Sequence, residues 1–226
     1  MIIALEGMDG CGKTTIAKRL ADKIGYDYIE KPNRDLMNMG KDEYEDMLKV
    51  LYAINNPTII ATFIGLGNLL QANVKDNVVL DRHILSNYYW NGRKENEYIF
   101  KSFVKNCPKN TINIVLYASP EIRKNRIIAR NPNDEDLDES KVFNLGYDKI
   151  LKFANENDMN CLIFDTDNLN LDEVFEQVIA MYEKIKDLKP SQISEICEKF
   201  NKPTLDKIKN KFGIELNKNS QNIELQ

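Results

Sequence analysis

The chain has 226 residues, 42% of them hydrophobic, and its 31 basic and 35 acidic side chains leave a net charge of −4. This length can bury a core without disulfides or metals, and the near balance of charge argues against a nucleic-acid coat protein. Four separated cysteines and one histidine offer no zinc-site spacing. No apolar run is long enough to span a membrane, so we expect a cytoplasmic protein with reduced thiols and no membrane partner.

Hydrophobic periodicity and the positions of glycine and proline predict ten elements before residue 189. In chain order they are a strand at 2–6, a helix at 13–24, a strand at 26–29, a helix at 42–51, a broken helix at 58–72, strands at 78–80 and 112–117, a helix at 120–130, a strand at 161–164 and a helix at 171–188. Strands that alternate with helices predict an α/β fold with a five-stranded parallel sheet between helices.

The last segment, 189–226, differs from the rest of the chain. It carries seven lysines against five acids, and two short apolar helix faces flank Lys202-Pro203. We therefore predict one domain over 1–188 and a small C-terminal helical hairpin over 189–226. Packing on its own core or on a second copy is the simpler interpretation of this hairpin, and a DNA-reading helix-turn-helix is the alternative.

A glycine-rich loop joins the first strand to the first helix and matches G-x-x-x-x-G-K-[ST] without a gap. Glycines let the backbone turn tightly and direct N–H groups at phosphate oxygens, and the helix N-terminus adds its positive dipole. We expect a nucleoside triphosphate to bind at Gly7, Asp9, Gly10, Cys11, Gly12, Lys13, Thr14 and Thr15. Lys13 is predicted to reach the β- and γ-phosphates, and the Thr14 hydroxyl to bind Mg²⁺.

An acid and an arginine follow the third strand. Asp81 ends this apolar strand, where a carboxylate can hold Mg²⁺ directly or through water. Arg82 can clamp the phosphate of an acceptor with its planar guanidinium. A structural ion pair at a strand end is the alternative interpretation of both residues.

Three arginines share one face of the helix that begins at Pro120. Arg123, Arg126 and Arg130 are spaced i, i+3 and i+7. Arginines stabilise the charge that develops on a phosphoryl group during transfer, and we favour Arg126 and Arg130 for this role. The alternative is a solvated basic face opposite the acidic stretch 134–139.

These motifs together resemble the thymidylate kinase family. The resemblance lies in Leu5 to Thr15, in Leu80-Asp81-Arg82-His83 followed by Ser86, and in the stretch from Tyr117 to Glu121 that leads into the arginines. It covers about residues 1–188. It implies a P-loop kinase fold with a helical lid, ATP and Mg²⁺ as cofactors, a small-molecule nucleotide substrate, a homodimer, and catalytic roles for Lys13, Arg82, Arg126 and Arg130.

The resemblance also implies an acceptor pocket. It places Asp9 at the sugar 3′-hydroxyl, Tyr52 at the base, Asn56 where the family reads the thymine edge with arginine, and Ser86 in the pocket. Tyr89, Trp90 and Asn91 replace the family's Ala-Tyr-Gln, and Lys31 or Arg34 can assist Arg82 with the acceptor phosphate. dTMP is the expected acceptor, with other deoxynucleoside monophosphates as competitors.

The sequence leaves two alternative functions open. Glu30 stands near the end of the second strand, where nucleoside kinases place a carboxylate as general base, so a deoxynucleoside kinase is the first alternative. The second is a nucleotide-binding adaptor without catalysis, whose tail binds a partner or DNA.

Overall fold

Five parallel strands form one sheet at the centre of the molecule. The computed structural model describes residues 1–30, 39–74, 76–137 and 146–212. Its elements are β1 Ile2–Glu6, α1 Lys13–Ile24, β2 Asp27–Ile29, α2 Lys41–Ile54, α3 Pro57–Val74, β3 Val78–Asp81, α4 Ile84–Asn91, α5 Glu97–Asn106, β4 Thr111–Tyr117, α6 Pro120–Arg130, α7 Gly146–Glu156, β5 Cys161–Asp165, α8 Leu171–Ile185 and α9 Pro190–Phe212. The strand order is β2-β3-β1-β4-β5, which confirms the predicted α/β fold and its five strands.

Helices cover both faces of the sheet, because neighbouring residues of a strand point to opposite sides. On β4, Ile114 packs in a core with α1 and α8, and Val115 packs in a second core with α4, α5 and α7. Since both faces are covered, the strands are almost continuously apolar, as their sequences indicated. None of the helices in the described ranges is long and apolar enough to cross a membrane.

Helix α3 is continuous, whereas the sequence analysis predicts a broken helix at 58–72. Gly65 is buried, and a Cβ atom at this position would lie 2.1 Å from the ring of Phe103 on α5. The glycine therefore allows close packing of the two helices and does not end α3.

Three helices, α4, α5 and α7, were not predicted from periodicity. Helix α4 has only eight residues, and no side chain near its start caps it. The group that accepts hydrogen bonds from its first N–H groups is the carboxylate of Glu6, far away in the chain. A cap supplied by a distant residue leaves no local sequence signal.

The predicted C-terminal hairpin is wrong for residues 190–212, which form the single helix α9 with Pro203 inside it. Proline removes one backbone hydrogen bond from a helix, so the sequence predicts that the first of two helices ends near Pro203. Contacts on both sides of Pro203 hold the helix on the protein, because Cys197 and Ile208 are both buried. The helix-turn-helix interpretation thus lacks its second helix in the described ranges, and 213–226 lies outside them.

Candidate active site

The glycine-rich loop lies between β1 and α1 and has a backbone that only glycine adopts easily. Gly7 and Gly10 have φ angles of 133° and 81°. A Cβ atom on Gly7 would lie 2.5 Å from the carbonyl oxygen of Leu116, and one on Gly10 would lie 2.9 Å from that of Arg123. The loop is therefore fixed between the end of β4 and helix α6, in the strand–loop–helix context that the phosphate-binding motif requires.

Lys13 begins α1 and is buried beneath this loop. Its Nζ donates a hydrogen bond to the Met8 carbonyl oxygen at 2.7 Å and lies 3.9 Å from a carboxylate oxygen of Asp9. The Sγ atom of buried Cys11 lies 3.8 Å from the same ammonium, and Thr15 is exposed in the first turn of α1. The ammonium thus lies inside the loop, where it can contact phosphate oxygens.

Thr14 and Asp81 meet at the edge of the sheet where the parallel strands end, and they fit a magnesium site. The Thr14 hydroxyl donates to Asp81 Oδ2 at 2.6 Å, and the Tyr28 hydroxyl donates to the same oxygen at 3.3 Å. The other carboxylate oxygen, Oδ1, is buried and has no hydrogen-bond partner among the described residues. An unpaired carboxylate oxygen beside a hydroxyl is the hard oxygen donor set that Mg²⁺ prefers.

Arg82 lies directly after β3 and turns its guanidinium to the phosphate loop. Its φ angle of 70° is unusual for a residue other than glycine, and its N–H donates to the Leu5 carbonyl oxygen at 2.9 Å. Nη2 donates to a carboxylate oxygen of Asp9. Burial opposes the charge on Arg82, but the neighbouring Asp9 carboxylate raises its pKa. The phosphate loop and the acid–arginine pair therefore face one crevice.

Glu6, the last residue of β1, connects these two motifs. Its carboxylate accepts hydrogen bonds from the N–H groups of His83, Leu85 and Ser86 at 2.9 to 3.1 Å, and one from the Ser86 hydroxyl. Complete burial raises the pKa of Glu6 to about 7, although these donors and Arg82 act to lower it. Glu6 was not among the predicted site residues. The signal available was a glutamate at the buried end of an otherwise apolar strand.

The arginines of α6 have three different environments. Arg126 donates to the hydroxyl and the carbonyl oxygen of Thr166, at 3.0 and 2.6 Å. Arg130 is exposed and pairs with Asp134 and Asp136, as the alternative interpretation of this helix face proposed. The catalytic roles of Arg126 and Arg130 stay predictions.

Arg123 is the α6 arginine that the structure places against the phosphate loop. It is only 2% exposed, its Nη1 donates to the Asp9 carbonyl oxygen at 3.4 Å, and its guanidinium lies 6.0 Å from the Tyr147 ring centroid. From its sequence, Arg123 is predicted only to share the helix face of Arg126 and Arg130. Its position in the first turn after β4, next to the strand ends, was the signal that favoured it over the other two.

The predicted acceptor residues of α4 line up along its length. Ser86 is buried and bonded to Glu6, Tyr89 is buried with its ring centroid 4.6 Å from that of Trp90, and Trp90 itself is exposed. Asn91 donates to the Asn87 side chain at 3.0 Å. A Cβ atom on Gly146 would lie 2.3 Å from the Tyr89 ring, so this ring fills the space between α4 and α7.

The remaining predicted acceptor residues are not brought to the crevice by any described contact. Tyr52 is 57% exposed on α2, and the Asn56 side-chain oxygen caps α3 by accepting hydrogen bonds from the N–H groups of Thr58 and Ile59. Lys31 and Arg34 fall in 31–38, outside the described residues. Their roles stay predictions.

The sequence profile of the family described as thymidylate kinase matches residues 5–178. The chain belongs to the thymidylate kinase family. A probable thymidylate kinase of Methanocaldococcus jannaschii is 29% identical over 192 residues, covering 82% of this chain and 97% of the relative. A putative adenylate kinase of Pyrococcus abyssi is 30% identical over 182 residues, covering 80% of this chain and 83% of the relative. The protein is thus a phosphotransferase that phosphorylates nucleotides.

Solved structures of kinases share the fold of this family member. The thymidylate kinase of Candida albicans matches with a TM-score of 0.54 at 16% identity, covering 82% of this chain and 92% of the other. The deoxyadenosine kinase of M. mycoides, solved with products, matches with a TM-score of 0.55 at 20% identity, covering 82% and 100%. At these identities the likeness concerns the fold and leaves the acceptor open.

Proposed function

We propose that this member of the family transfers the γ-phosphoryl group of ATP to dTMP. In this reaction a phosphate oxygen of dTMP bonds to the γ-phosphorus of ATP, the bond from that phosphorus to the β,γ-bridging oxygen breaks, and dTDP and ADP form. The observation that carries the proposal is the single crevice: Thr14 bonds to Asp81 at 2.6 Å, and Arg82 pairs with Asp9. The residues proposed to hold ATP and the residue proposed to hold the phosphate of dTMP therefore line the same crevice.

The chain's own residues supply position and charge in this reaction. Lys13 and the N–H groups of the glycine-rich loop hold the donor phosphates, and Arg82 exchanges Asp9 for the acceptor phosphate. Arg123, buried beside the loop, adds a fixed positive charge near the transferred group. Thr14 and Asp81 would hold Mg²⁺, which neutralises charge on the donor phosphates when bound.

The acceptor is tested by a panel of nucleosides and nucleoside monophosphates, each supplied with Mg-ATP. We expect dTMP to be phosphorylated with the highest kcat/KM among dTMP, dUMP, dCMP, dAMP and AMP, and thymidine to give no product. The Lys13→Ala variant, purified in the same way, controls for contaminating kinases and should be inactive. Phosphorylation of thymidine without dTMP, or a preference for AMP, would contradict the proposal.

Glu30 favours a deoxynucleoside kinase as the second candidate. It follows β2 directly and is exposed at the same edge of the sheet as Asp81. A nucleoside 5′-hydroxyl loses a proton on transfer, so it needs a nearby base, whereas a monophosphate acceptor is already anionic. Under this candidate, Glu30→Gln would remove nucleoside phosphorylation, while under the primary proposal it leaves dTMP turnover largely intact.

We also propose that the protein is a homodimer that pairs through α2 and α3. Large apolar side chains are exposed on these two helices, namely Met47, Val50, Ile54, Ile59 and Leu66. An apolar surface of this kind on a soluble domain is typical of an interface. A second copy is the expected occupant, because the resemblance to the family implies a homodimer.

A further inference from the structure

Helix α9 begins after residue 178, where the match to the family ends, yet it is bonded to the sheet. The Asn201 side chain accepts a hydrogen bond from the Ile163 N–H at 2.8 Å and donates one to the Cys161 carbonyl oxygen at 2.7 Å. The Phe200 ring lies 4.9 Å from that of Phe164. The Asn201 side chain thus satisfies one N–H and one carbonyl group at the edge of β5, and these contacts fix the position of α9.

The C-terminal half of α9 reaches the loop that follows β5. Lys207 forms ion pairs with Asp165 and Asp167, the second at 2.9 Å, and its Nζ lies 5.6 Å from the Tyr117 ring centroid. Burial opposes the charge on Lys207, but the two carboxylates raise its pKa. Without this ammonium, two carboxylates of like charge would lie close together.

Asp167, which pairs with Lys207 of α9, also bonds to the residue that precedes α6. Its Oδ1 accepts a hydrogen bond from the Ser119 N–H at 2.6 Å, and Ser119 is the residue that precedes α6. The neighbouring residue Thr166 accepts two hydrogen bonds from Arg126 of α6. The loop at 166–170 is therefore bonded to α9 on one side and to α6 on the other.

Both α6 and the residue after this loop contact the phosphate loop. A Cβ atom on Gly10 would lie 2.9 Å from the Arg123 carbonyl oxygen, and one on Gly12 would lie 3.2 Å from the Leu171 side chain. The phosphate loop is thus contacted by α6 and by the first residue of α8, and the loop at 166–170 is bonded to α6 and leads directly into α8. A shift of the loop at 166–170 would move the donor site, whereas Arg82 directly follows β3, which β1 and β4 separate from β5.

We infer that α9 is a brace for the donor-nucleotide site and that Lys207 is its positioning residue, acting through Asp167 and Ser119. This inference rests on the proposed use of ATP as donor and not on the identity of the acceptor. Loss of the ammonium is expected to weaken donor binding selectively, because the groups on the acceptor side are held by Glu6 and β3.

The test compares Lys207→Met with Lys209→Met, a control at an exposed lysine of the same helix. We expect Lys207→Met to raise the KM for ATP and the Kd for a non-hydrolysable ATP analogue, measured by calorimetry, at least fivefold. The acceptor KM should change less than twofold, Lys209→Met should match the wild type, and Lys207→Arg should restore most of the affinity.

An unchanged Kd in Lys207→Met, an equal rise in Lys209→Met, or an equal effect on both substrates would overturn the inference. Asp167→Asn keeps an oxygen for the Ser119 N–H but removes the charge that faces Lys207. The Asp167→Asn variant is expected to weaken analogue binding as well. It replaces Lys207→Met in the test if Lys207→Met fails to fold. Wild-type protein that neither binds the analogue nor turns over would instead contradict the proposed function.

Discussion

His83 is a buried histidine whose hydrogen bond fixes its tautomer and whose burial keeps the ring neutral. Its Nε2 lies 3.0 Å from the Asn68 carbonyl oxygen, which can only accept, so Nε2 carries the proton. Complete burial lowers the pKa of His83 to about 4. Because the chain has a single histidine, the untagged protein should give one imidazole ε1 signal by NMR. We expect that signal to titrate with a midpoint near 4 while the protein stays folded.

The same shift has a consequence for stability. Between the folded pKa near 4 and the unfolded pKa of 6.5, the unfolded chain binds more protons, so the contribution of His83 falls as pH falls through this window. The free energy of unfolding falls by about 3 kcal/mol across this pH window. The variant His83→Gln should unfold in urea without this component of the pH dependence. A midpoint near 6.5 in the folded protein would show that the ring is solvated.

At the scale of single elements, Asn201 offers a direct measurement of how α9 holds β5. Asn201→Ala leaves the buried N–H of Ile163 and the carbonyl of Cys161 without their side-chain partners. An unsatisfied buried backbone group costs about 1–3 kcal/mol, so we expect a loss of that size in the free energy of unfolding. Urea denaturation followed by circular dichroism measures it.

Asn210→Ala is the matched control, because Asn210 is exposed on the same helix. Its effect should stay within about 0.5 kcal/mol. If both substitutions cost the same, the contact with β5 contributes nothing, and helix propensity cannot explain the loss because alanine favours a helix more than asparagine does. A loss confined to Asn201 identifies α9 as part of the folding unit of the sheet.

The elements that could be predicted from the sequence are those with local signals. β1, β3 and β4 are apolar runs, and α1 and α6 have regular spacing with glycine or proline at an end. α4 could not be predicted, because its cap is Glu6, and the continuity of α9 through Pro203 depends on contacts with β5. Local pattern cannot report a stabilising partner that the chain supplies from far away.

The candidate site also has parts that a local sequence signal predicts and parts that depend on distant contacts. The glycine-rich loop and the acid–arginine pair were predicted because motif and strand end coincide, and the structure brings Thr14 to Asp81. The sequence favours Arg126 and Arg130 as the arginines that stabilise the transferred phosphoryl group, whereas the structure places Arg123 beside the phosphate loop. Spacing gives the shared face of a helix, but the depth of each side chain depends on what packs over it.

At the scale of the whole molecule, the exposed apolar side chains of α2 and α3 indicate how two copies of the chain would pair. Met47, Val50 and Ile54 are spaced i, i+3 and i+7, so they form one stripe on α2, and Ile59 and Leu66, spaced i and i+7, share one face of α3. A two-fold axis would place the same stripe of a second copy against it, since such interfaces are self-complementary. The dimer would then bury side chains that are 39% to 56% exposed in one chain.

Val50→Glu tests this arrangement, because a two-fold axis places the new carboxylates of both copies in one apolar interface. Burying two like charges without partners is unfavourable, so we expect light scattering after size exclusion to give the mass of a dimer for the wild type and of a monomer for the variant. Tyr98→Glu is the control, since Tyr98 is 67% exposed on α5, outside the stripe. A dimer that survives Val50→Glu, or dissociates equally with Tyr98→Glu, would place the contact elsewhere. Unchanged cooperative unfolding of Val50→Glu shows that the fold itself is intact.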